Sequence, residues 1–369
     1  MAKDTILVLG TGATLGGQFK VKIGGKCYAP PLDKNFFQTE AVKSIFKECE
    51  YPALFYYQRE CGLEPTWANI DLVAKMCLSK IIDEEGVWES VKNSMAEKAK
   101  GDTSYKNKMK AEKSIWRVPS MAGWELLSLI HEVYKETVPP KEKSPLWQVV
   151  SKLIEEDLLK GVITFNYDTS LETLLRRHNQ GFYYPCLPSQ SGGLPLIKLH
   201  GSLNWQYFHF PYEESITVVD TLVKPEHSVY GYTQPEIVGP TFFKQEITID
   251  YQQDYRAKYY KALWRFAWEQ LREMQKLVFI GFSFPQTDFH AAALFRTAHL
   301  SGLGFRRVVL CHKSDDGGRL KDTVKKVFEQ KARNGPEFND YTCGLEILVK
   351  NLDELVKWLQ CNSSVTEIS

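Results

Sequence analysis

Four short motifs carry the side chains with which this chain of 369 residues could do chemistry. A glycine turn lets backbone N–H groups approach a phosphate without a clash with a Cβ atom. An amide can orient a water or a sugar hydroxyl, and a histidine that titrates near neutrality can act as a base. The motifs are Gly10-Thr11-Gly12-Ala13-Thr14, Asn166-Tyr167-Asp168, His200-Gly201 and Gly281-Phe282-Ser283.

Each motif also has an ordinary structural explanation. A tight turn explains the glycines after a strand, and an N-cap for a helix beginning near Ser170 explains Asn166 or Asp168. Backbone hydrogen bonds can satisfy His200 in a core or a loop. The glycine spacing is GxGxxxG and no ribose-binding acid follows about twenty residues later, which argues against a dehydrogenase-type dinucleotide fold. The Walker, HExxH and GxSxG motifs are absent from the sequence.

Short apolar runs, well separated along the chain, predict the strands that would position these motifs. Their continuous rather than alternating apolar character is typical of strands buried on both faces of a parallel sheet. The runs occupy residues 5–9, 161–165, 194–199, 277–280, 307–310 and 345–349. Amphipathic segments between them predict the covering helices, at residues 170–178, 255–275, 288–300, 320–331 and 352–360. The fold class predicted is a doubly wound, Rossmann-like α/β sheet with helices on both faces.

The carboxyl ends of parallel strands meet at one edge of a sheet. Because all four motifs follow predicted strands, we expect them to converge there on one ligand. The Asp288 carboxylate, by contrast, is interpreted as a helix N-cap.

About 150 residues separate the first two predicted strands, far more than an ordinary connection. Helical patterns at residues 40–49, 66–81, 87–99, 122–135 and 146–159 fill most of this interval, with a Lys-rich stretch at 98–113. We therefore predict a single domain over 1–369, with a Rossmann-like core at 5–39 and 160–361 and a helical insertion at 40–159. Residues 206–250 are predicted to form an irregular ordered loop with a hairpin near 216–219.

The composition excludes several classes of protein. With 46 basic and 45 acidic residues the formal net charge is +1, so nothing global favours direct contact with nucleic acid or an anionic membrane. No apolar stretch reaches the ~20 residues of a membrane helix, and the start of the chain does not resemble a signal peptide. Eight scattered cysteines form no CxxC pair, so we expect free thiols, no zinc and a cytoplasmic location.

Taken in order, the four motifs resemble those of the sirtuin superfamily. Gly10-Thr11-Gly12-Ala13-Thr14 resembles its Gly-Ala-Gly-Ala-Ser loop, residues 164–168 its Thr-Gln-Asn-Ile-Asp segment, His200-Gly201 its catalytic His-Gly, and Gly281-Phe282-Ser283 its Gly-Thr-Ser. The resemblance implies that NAD binds at the strand ends. It assigns Asn166 to the attacking water or ribose, His200 to the base and Asp168 to the nicotinamide end. Cofactor binding falls to Gly10, Thr11, Gly12, Ala13, Thr14, Gly281 and Ser283.

The departures from that family narrow the implied activity. Its protein deacetylases carry a four-cysteine zinc ribbon after the His-Gly motif, whereas the three cysteines after His200 have no such spacing. Phe165 replaces the family's glutamine. The combination is similar to bacterial sirtuin-like proteins of anti-phage defence, which hydrolyse NAD to nicotinamide and ADP-ribose. Residues 30–33 would then form the flexible loop over the cofactor, where Asp33 would contact it.

The resemblance leads to one main hypothesis and two alternatives. The main one is an NAD glycohydrolase, with NAD⁺ as substrate, acting in anti-phage defence. A non-catalytic sensor that binds NAD or ADP-ribose is the first alternative, and an NAD-dependent protein deacylase is a disfavoured second. Family habit further implies a homo-oligomer and a partner protein such as a hexameric DNA-translocating ATPase of the HerA type.

Overall fold

The structure is a computed structural model with side chains. It describes residues 3–48, 50–59, 62–66, 68–70, 72–73, 89, 118–141, 143–187, 192–210, 213–220, 222, 226–228, 231–238, 255–313, 318–329, 335–341 and 344–361. Within these ranges, no helix has both the length and the apolar character needed to cross a membrane. Two compact units divide the chain. The first comprises Met1–Lys20, Val138–Leu199 and Lys258–Ser369, and the second comprises Val21–Thr137 and His200–Ala257.

A seven-stranded parallel sheet forms the centre of the first unit, in the order β14-β13-β12-β1-β5-β7-β6. The strands are β1 (Thr5–Leu9), β5 (Leu159–Thr164), β6 (Phe182–Tyr183), β7 (Leu194–Lys198), β12 (Lys276–Ile280), β13 (Arg307–Cys311) and β14 (Glu337–Tyr341). Every residue of β1 is buried, as expected for the central strand of a sheet covered on both faces. The predicted α/β fold class is confirmed.

Helices cover this sheet and follow the predicted amphipathic segments closely. They are α1 (Thr11–Gly16), α5 (Pro145–Glu155), α6 (Ser170–Arg177), α7 (Tyr255–Arg272), α8 (Phe289–Ser301), α9 (Arg319–Phe328), α10 (Leu345–Lys350) and α11 (Leu352–Gln360). Helix α6 shows why the pattern works, because Leu171, Leu174 and Leu175 recur at spacings of three and four and are all buried. Proline at the first position of α5 suits the helix start, where its missing N–H costs nothing.

The second unit contains a four-stranded antiparallel sheet in the order β10-β11-β8-β9. Its strands are β8 (Gly201–Phe210), β9 (Glu213–Val218), β10 (Glu226–Ser228) and β11 (Gly231–Ile237). A three-stranded sheet pairs β2 (Lys20–Ile23), β3 (Lys26–Tyr28) and β4 (Thr137–Val138), and a 3₁₀ helix spans Asp33–Gln38. The helices are α2 (Glu40–Lys43), α3 (Pro52–Arg59) and α4 (Val118–Tyr134). The buried Glu125 carboxylate of α4 accepts the N–H of Leu54 in the first turn of α3.

Two sequence predictions differ from the structure, and one strand was not predicted. The predicted strand at 345–349 is wrong, since this segment is helix α10. Strand β14, the edge of the sheet, was not predicted because its sequence Glu-Phe-Asn-Asp-Tyr has no apolar run. Residues 206–250 hold most of a four-stranded sheet rather than one hairpin. Predicted helices at 66–81 and 87–99, apart from a few residues, and the Lys-rich stretch at 98–113 lie outside the described residues.

Candidate active site

The register of the sheet aligns the ends of three strands that carry motifs. Leu9 of β1 lies opposite Thr164 of β5 on one side and Ile280 of β12 on the other. The ladder continues one residue further, because the N–H of Phe165 donates to Leu9 and the N–H of Gly10 donates to Ile280. The turns that follow β1, β5 and β12 therefore emerge side by side at the carboxyl edge.

The glycine turn after β1 packs backbone to backbone against the turn after β12. A Cβ atom on Gly10 would lie 2.5 Å from the carbonyl oxygen of Gly281, and one on Gly12 would lie 2.8 Å from the Gly281 Cα. Gly281 itself has φ +63°, and a Cβ there would meet the backbone of Gly12 and Ala13 at 2.3 Å. This contact requires glycine at three motif positions before any ligand is considered.

Besides the Gly10 N–H, which donates to Ile280, two further amides of the glycine turn already donate within the protein. The Gly12 N–H donates to the Gly281 carbonyl at 3.1 Å, and the Ala13 N–H donates to the Gly10 carbonyl at 2.8 Å. Gly12 and Ala13 therefore shape the turn, but their N–H groups are already hydrogen-bonded to backbone carbonyls and are not available to a phosphate. Thr11 is half-buried, and Ser283 is exposed just beyond Gly281.

Asn166 has a fixed orientation and one unpaired acceptor. Its side-chain Nδ2 donates to the Gly10 carbonyl at 3.0 Å and to Thr14 Oγ1 at 3.2 Å. Since a carbonyl can only accept, the amide nitrogen must face Gly10 and Oδ1 must point away from it. Asn166 is only 6% exposed, and its buried Oδ1 has no hydrogen-bond partner among the described residues. A buried polar atom of this kind calls for an explanation, such as a ligand or a bound water.

Asp168 is occupied by structural hydrogen bonds on both carboxylate oxygens. Thr14 Oγ1 donates to Oδ2 at 2.9 Å, and the N–H of Ser170 donates to Oδ1 at 2.9 Å. The second bond holds the first turn of α6, in the manner of a helix cap. Asp168 thus orients Thr14, which in turn accepts from Asn166, and a continuous hydrogen-bonded chain links the turns after β1 and β5.

A buried ion pair lies beside this chain, and the sequence reasoning missed it. Lys198 of β7 is fully buried, Glu172 of α6 is 1% exposed, and Lys198 Nζ lies 2.7 Å from Glu172 Oε1. Tyr184 Oη donates to the same carboxylate oxygen at 3.0 Å. Lys198 Nζ also donates to the backbone carbonyl of Asp168 at 2.6 Å. A lysine inside the apolar strand Leu-Pro-Leu-Ile-Lys was the signal that could have revealed it.

Aromatic rings fill the space behind the two turns. Phe165, which follows β5, stacks on Phe282 with ring centroids 4.2 Å apart and an interplanar angle of 16°. Phe279, Phe284 and Phe295 extend the same cluster. Asp288 stands at the N-cap position of α8, although its side chain makes no capping hydrogen bond.

Two predicted site residues belong to the second unit. His200 follows directly on Leu199, the last residue of that segment of the first unit, and is 3% exposed. Its backbone carbonyl accepts the N–H of Val238 at 2.9 Å. Asp33 begins the 3₁₀ helix Asp33–Gln38. Across the described ranges, no group of three or more His, Cys, Asp or Glu side chains is arranged to hold a metal ion.

Residues 160–331 match the family model of the SIR2-like domain. The matched stretch contains Asn166, Asp168, His200, Gly281 and Ser283, and the glycine turn precedes it. The SIR2-like match therefore covers the turns after β5 and β12.

Solved structures of Sir2 homologues resemble the chain loosely over nearly its whole length. A mutant Sir2 homologue in complex with 2′-O-acetyl-ADP-ribose is 11% identical, with a TM-score of 0.43 over 98% of this chain and 94% of that chain. A Sir2 homologue–NAD complex is 12% identical, with a TM-score of 0.41 over 95% of this chain and 90% of that chain. Similarity at this level assigns no role to any residue. No curated protein matches the chain.

Proposed function

We propose that this protein is an NAD glycohydrolase that cleaves NAD⁺ to nicotinamide and ADP-ribose. The observation that carries the proposal is the buried, oriented and unpaired Oδ1 of Asn166 at the carboxyl edge of a parallel sheet. Open α/β sheets bind their ligands at this edge. The SIR2-like match over residues 160–331 supports NAD as the ligand.

Cleavage of the N-glycosidic bond develops positive charge on the ribose as nicotinamide departs. A catalyst must hold the ribose and place a water on the opposite face, with groups fixed before the reaction starts. Asn166 is such a fixed group, because two hydrogen bonds hold its amide nitrogen in place. Its Oδ1 is left free to accept a hydrogen bond from a ribose hydroxyl or from the attacking water.

The other residues take supporting roles in this proposal. His200 acts as the base, an assignment that rests on the His-Gly motif. Thr14 and Asp168 hold Asn166 through their hydrogen bonds, so Asp168 is a positioning residue here rather than a contact for nicotinamide. Ser283, an exposed hydroxyl two residues beyond Gly281, contacts the cofactor's ribose or phosphate. Asp33 is assigned to the cofactor by the family resemblance alone. The glycine turn shapes the edge at which the phosphates bind.

Loss of nicotinamide release tests the catalytic assignment. Asn166→Ala and His200→Ala are each expected to lower NAD turnover by at least about 10²-fold, the usual contribution of a positioned catalytic group. Nicotinamide and ADP-ribose are quantified by chromatography, and folding is checked by circular dichroism. Asn339→Ala is the matched control. Asn339 is a half-buried asparagine of β14 whose side-chain Nδ2 donates a hydrogen bond to Tyr341 Oη, and the proposal gives it no role in catalysis. Wild-type turnover in both Asn166→Ala and His200→Ala would refute the assignment.

A non-catalytic sensor of NAD or ADP-ribose is a second candidate. Phe165 favours it, because this ring stacks on Phe282 where the sirtuin pattern has a glutamine amide. Calorimetric binding of NAD by a protein that releases no nicotinamide would select the sensor. Deacylation of an acyl-lysine peptide would instead select the deacylase.

The same family resemblance is the basis for a proposal about the biological role, the oligomer and the partner of this enzyme. We propose that the enzyme depletes NAD in the cytoplasm during anti-phage defence, as a homo-oligomer and with a partner such as a HerA-type ATPase. Light scattering coupled to size-exclusion chromatography measures the oligomer. NAD turnover with and without the purified ATPase measures the partner's effect.

A further inference from the structure

The ion pair Lys198–Glu172 is the most deeply buried charged feature among the described residues. Neither side chain is more than 1% exposed, and the third member, Tyr184, is 3% exposed. Two charges removed from water carry a desolvation penalty that their attraction often fails to repay. Well-packed apolar side chains of similar volume are frequently as stabilising or more so. Stability alone therefore does not explain a lysine and a glutamate at these two positions.

Apolar side chains could not supply the hydrogen bond from Lys198 to the Asp168 carbonyl. That carbonyl belongs to the turn between β5 and α6, which also carries Asn166 two residues earlier. The Asp168 carboxylate is held from the other side by Thr14 and Ser170. Lys198 thus ties the backbone of this turn to strand β7. Glu172 lies in helix α6, which follows the turn, and its carboxylate balances the charge of Lys198.

We propose that Lys198 is a positioning residue that fixes the turn at residues 165–169 and thereby aims Oδ1 of Asn166. The inference rests on the proposed NAD cleavage for its kinetic readout. Lys198 touches no reacting atom in this scheme and acts only through the Asp168 carbonyl. The Glu172 carboxylate accepts a hydrogen bond from the Lys198 ammonium group and so keeps it in place. Tyr184 in turn donates to the Glu172 carboxylate.

The decisive experiment separates stability from positioning. Lys198→Met alone leaves the Glu172 carboxylate buried without its counter-charge, so this variant is expected to melt well below wild type. The double variant Lys198→Met with Glu172→Leu removes both charges at similar volume and is expected to recover most of that stability. The kcat of the double variant is nevertheless expected to be lower than that of wild type by up to about 10²-fold, with little change in KM. A misplaced catalytic group lowers the rate by roughly this factor.

A measurement independent of activity accompanies the kinetics. Amide hydrogen exchange of a peptide that spans the turn and the start of α6 is expected to be faster in the double variant than in wild type. Lys160→Met is the matched control, since Lys160 is a half-buried lysine of neighbouring strand β5 with no part in the cluster. It is expected to leave kcat, KM and exchange at residues 165–170 unchanged.

Each outcome supports or overturns the inference. A double variant with wild-type kcat and wild-type exchange would show that Lys198 serves stability alone. If the double variant does not fold, Glu172→Gln decides, because it keeps Lys198 and its bond to Asp168. The inference then requires Glu172→Gln to retain kcat within about threefold despite a lower melting point, and a collapse of kcat would overturn it. Absence of nicotinamide release by wild type refutes the proposed function, and the exchange comparison still tests the positioning role.

Discussion

Asn166 illustrates how far single residues could be predicted. The sequence predicted it to lie beside the glycine turn, because both follow strands of one parallel sheet, and the hydrogen bond to Gly10 confirms that proximity. The sequence could not predict that both oxygens of Asp168 are engaged, since one partner is Thr14, 154 positions away. Nor could it predict the pairing of Lys198 with Glu172, which depends on how α6 lies on the sheet.

Thiol reactivity gives a prediction at the same scale. Burial, with the neighbouring Asp340 carboxylate as a second cause, raises the pKa of Cys311 to about 12. The thiolate is the nucleophile, and at pH 8 only about one such thiol in 10⁴ is ionised. Cys27 and Cys361 are exposed. We expect iodoacetamide at pH 8 to label Cys27 and Cys361 and to spare Cys311.

Mass spectrometry of the labelled native protein measures this difference. Labelling in denaturant is the control, because it should modify all three positions alike. Equal labelling of Cys311 in the native protein would contradict the burial that raises its pKa.

Secondary-structure elements were predicted best where they are long or apolar. Five of the six predicted strands are strands, since continuous apolar runs mark the interior of a parallel sheet. The sixth, at 345–349, failed because a short apolar run fits a helix equally well. Leu345 and Leu348 are its buried residues, at the helical spacing of three, and Gly344 with φ +88° precedes them. The edge strand β14 is polar, so its pairing with β13 rather than its composition makes it a strand.

The contact between the turns after β1 and β12 predicts an unusually sensitive glycine. Gly281→Ala places a Cβ 2.3 Å from backbone atoms of Gly12 and Ala13 at φ +63°. Gly318 in the same unit has φ +83° and nothing within 4 Å of its Cβ position. Gly318→Ala is expected to cost about 1 kcal/mol for the left-handed conformation alone. Gly281→Ala is expected to cost about 3 kcal/mol or more, because overpacking adds to that strain.

Chemical denaturation of the two variants measures the difference. Equal losses of unfolding free energy would mean that the two turns do not touch as described. A larger loss in Gly281→Ala, with lower NAD turnover, would link the turn contact to the site.

At the scale of the whole molecule, the near balance of 46 basic and 45 acidic residues leaves almost no net charge to attract a charged ligand. The proposed affinity for a dinucleotide must then come from local geometry at the sheet edge. The single domain with a core at 5–39 and 160–361 and an insertion at 40–159 stays a prediction, whereas each of the two compact units is built from separate segments. Contacts that join distant segments leave no local trace in composition or periodicity.

Ligand-induced stabilisation gives a prediction for the whole chain. ADP-ribose at about 100 times its dissociation constant would add about 2.7 kcal/mol to the folded state. For a chain of this length that corresponds to a rise of roughly 3 °C in the melting temperature. Differential scanning fluorimetry over a concentration series measures the shift, with adenosine, which lacks both phosphates, as the comparison. A melting temperature that does not change up to millimolar ADP-ribose would contradict dinucleotide binding.

The central position of β1 has a consequence for synthesis of the protein. Its neighbours β5 and β12 begin roughly 150 and 270 residues later in the chain. At about 5–20 residues per second on a ribosome, β12 follows β1 by roughly 15 to 55 s. Throughout that interval Ile6, Leu7, Val8 and Leu9, all buried in the folded protein, lack a neighbouring strand on at least one side. We therefore expect the central strand to be the segment that depends longest on chaperones during translation.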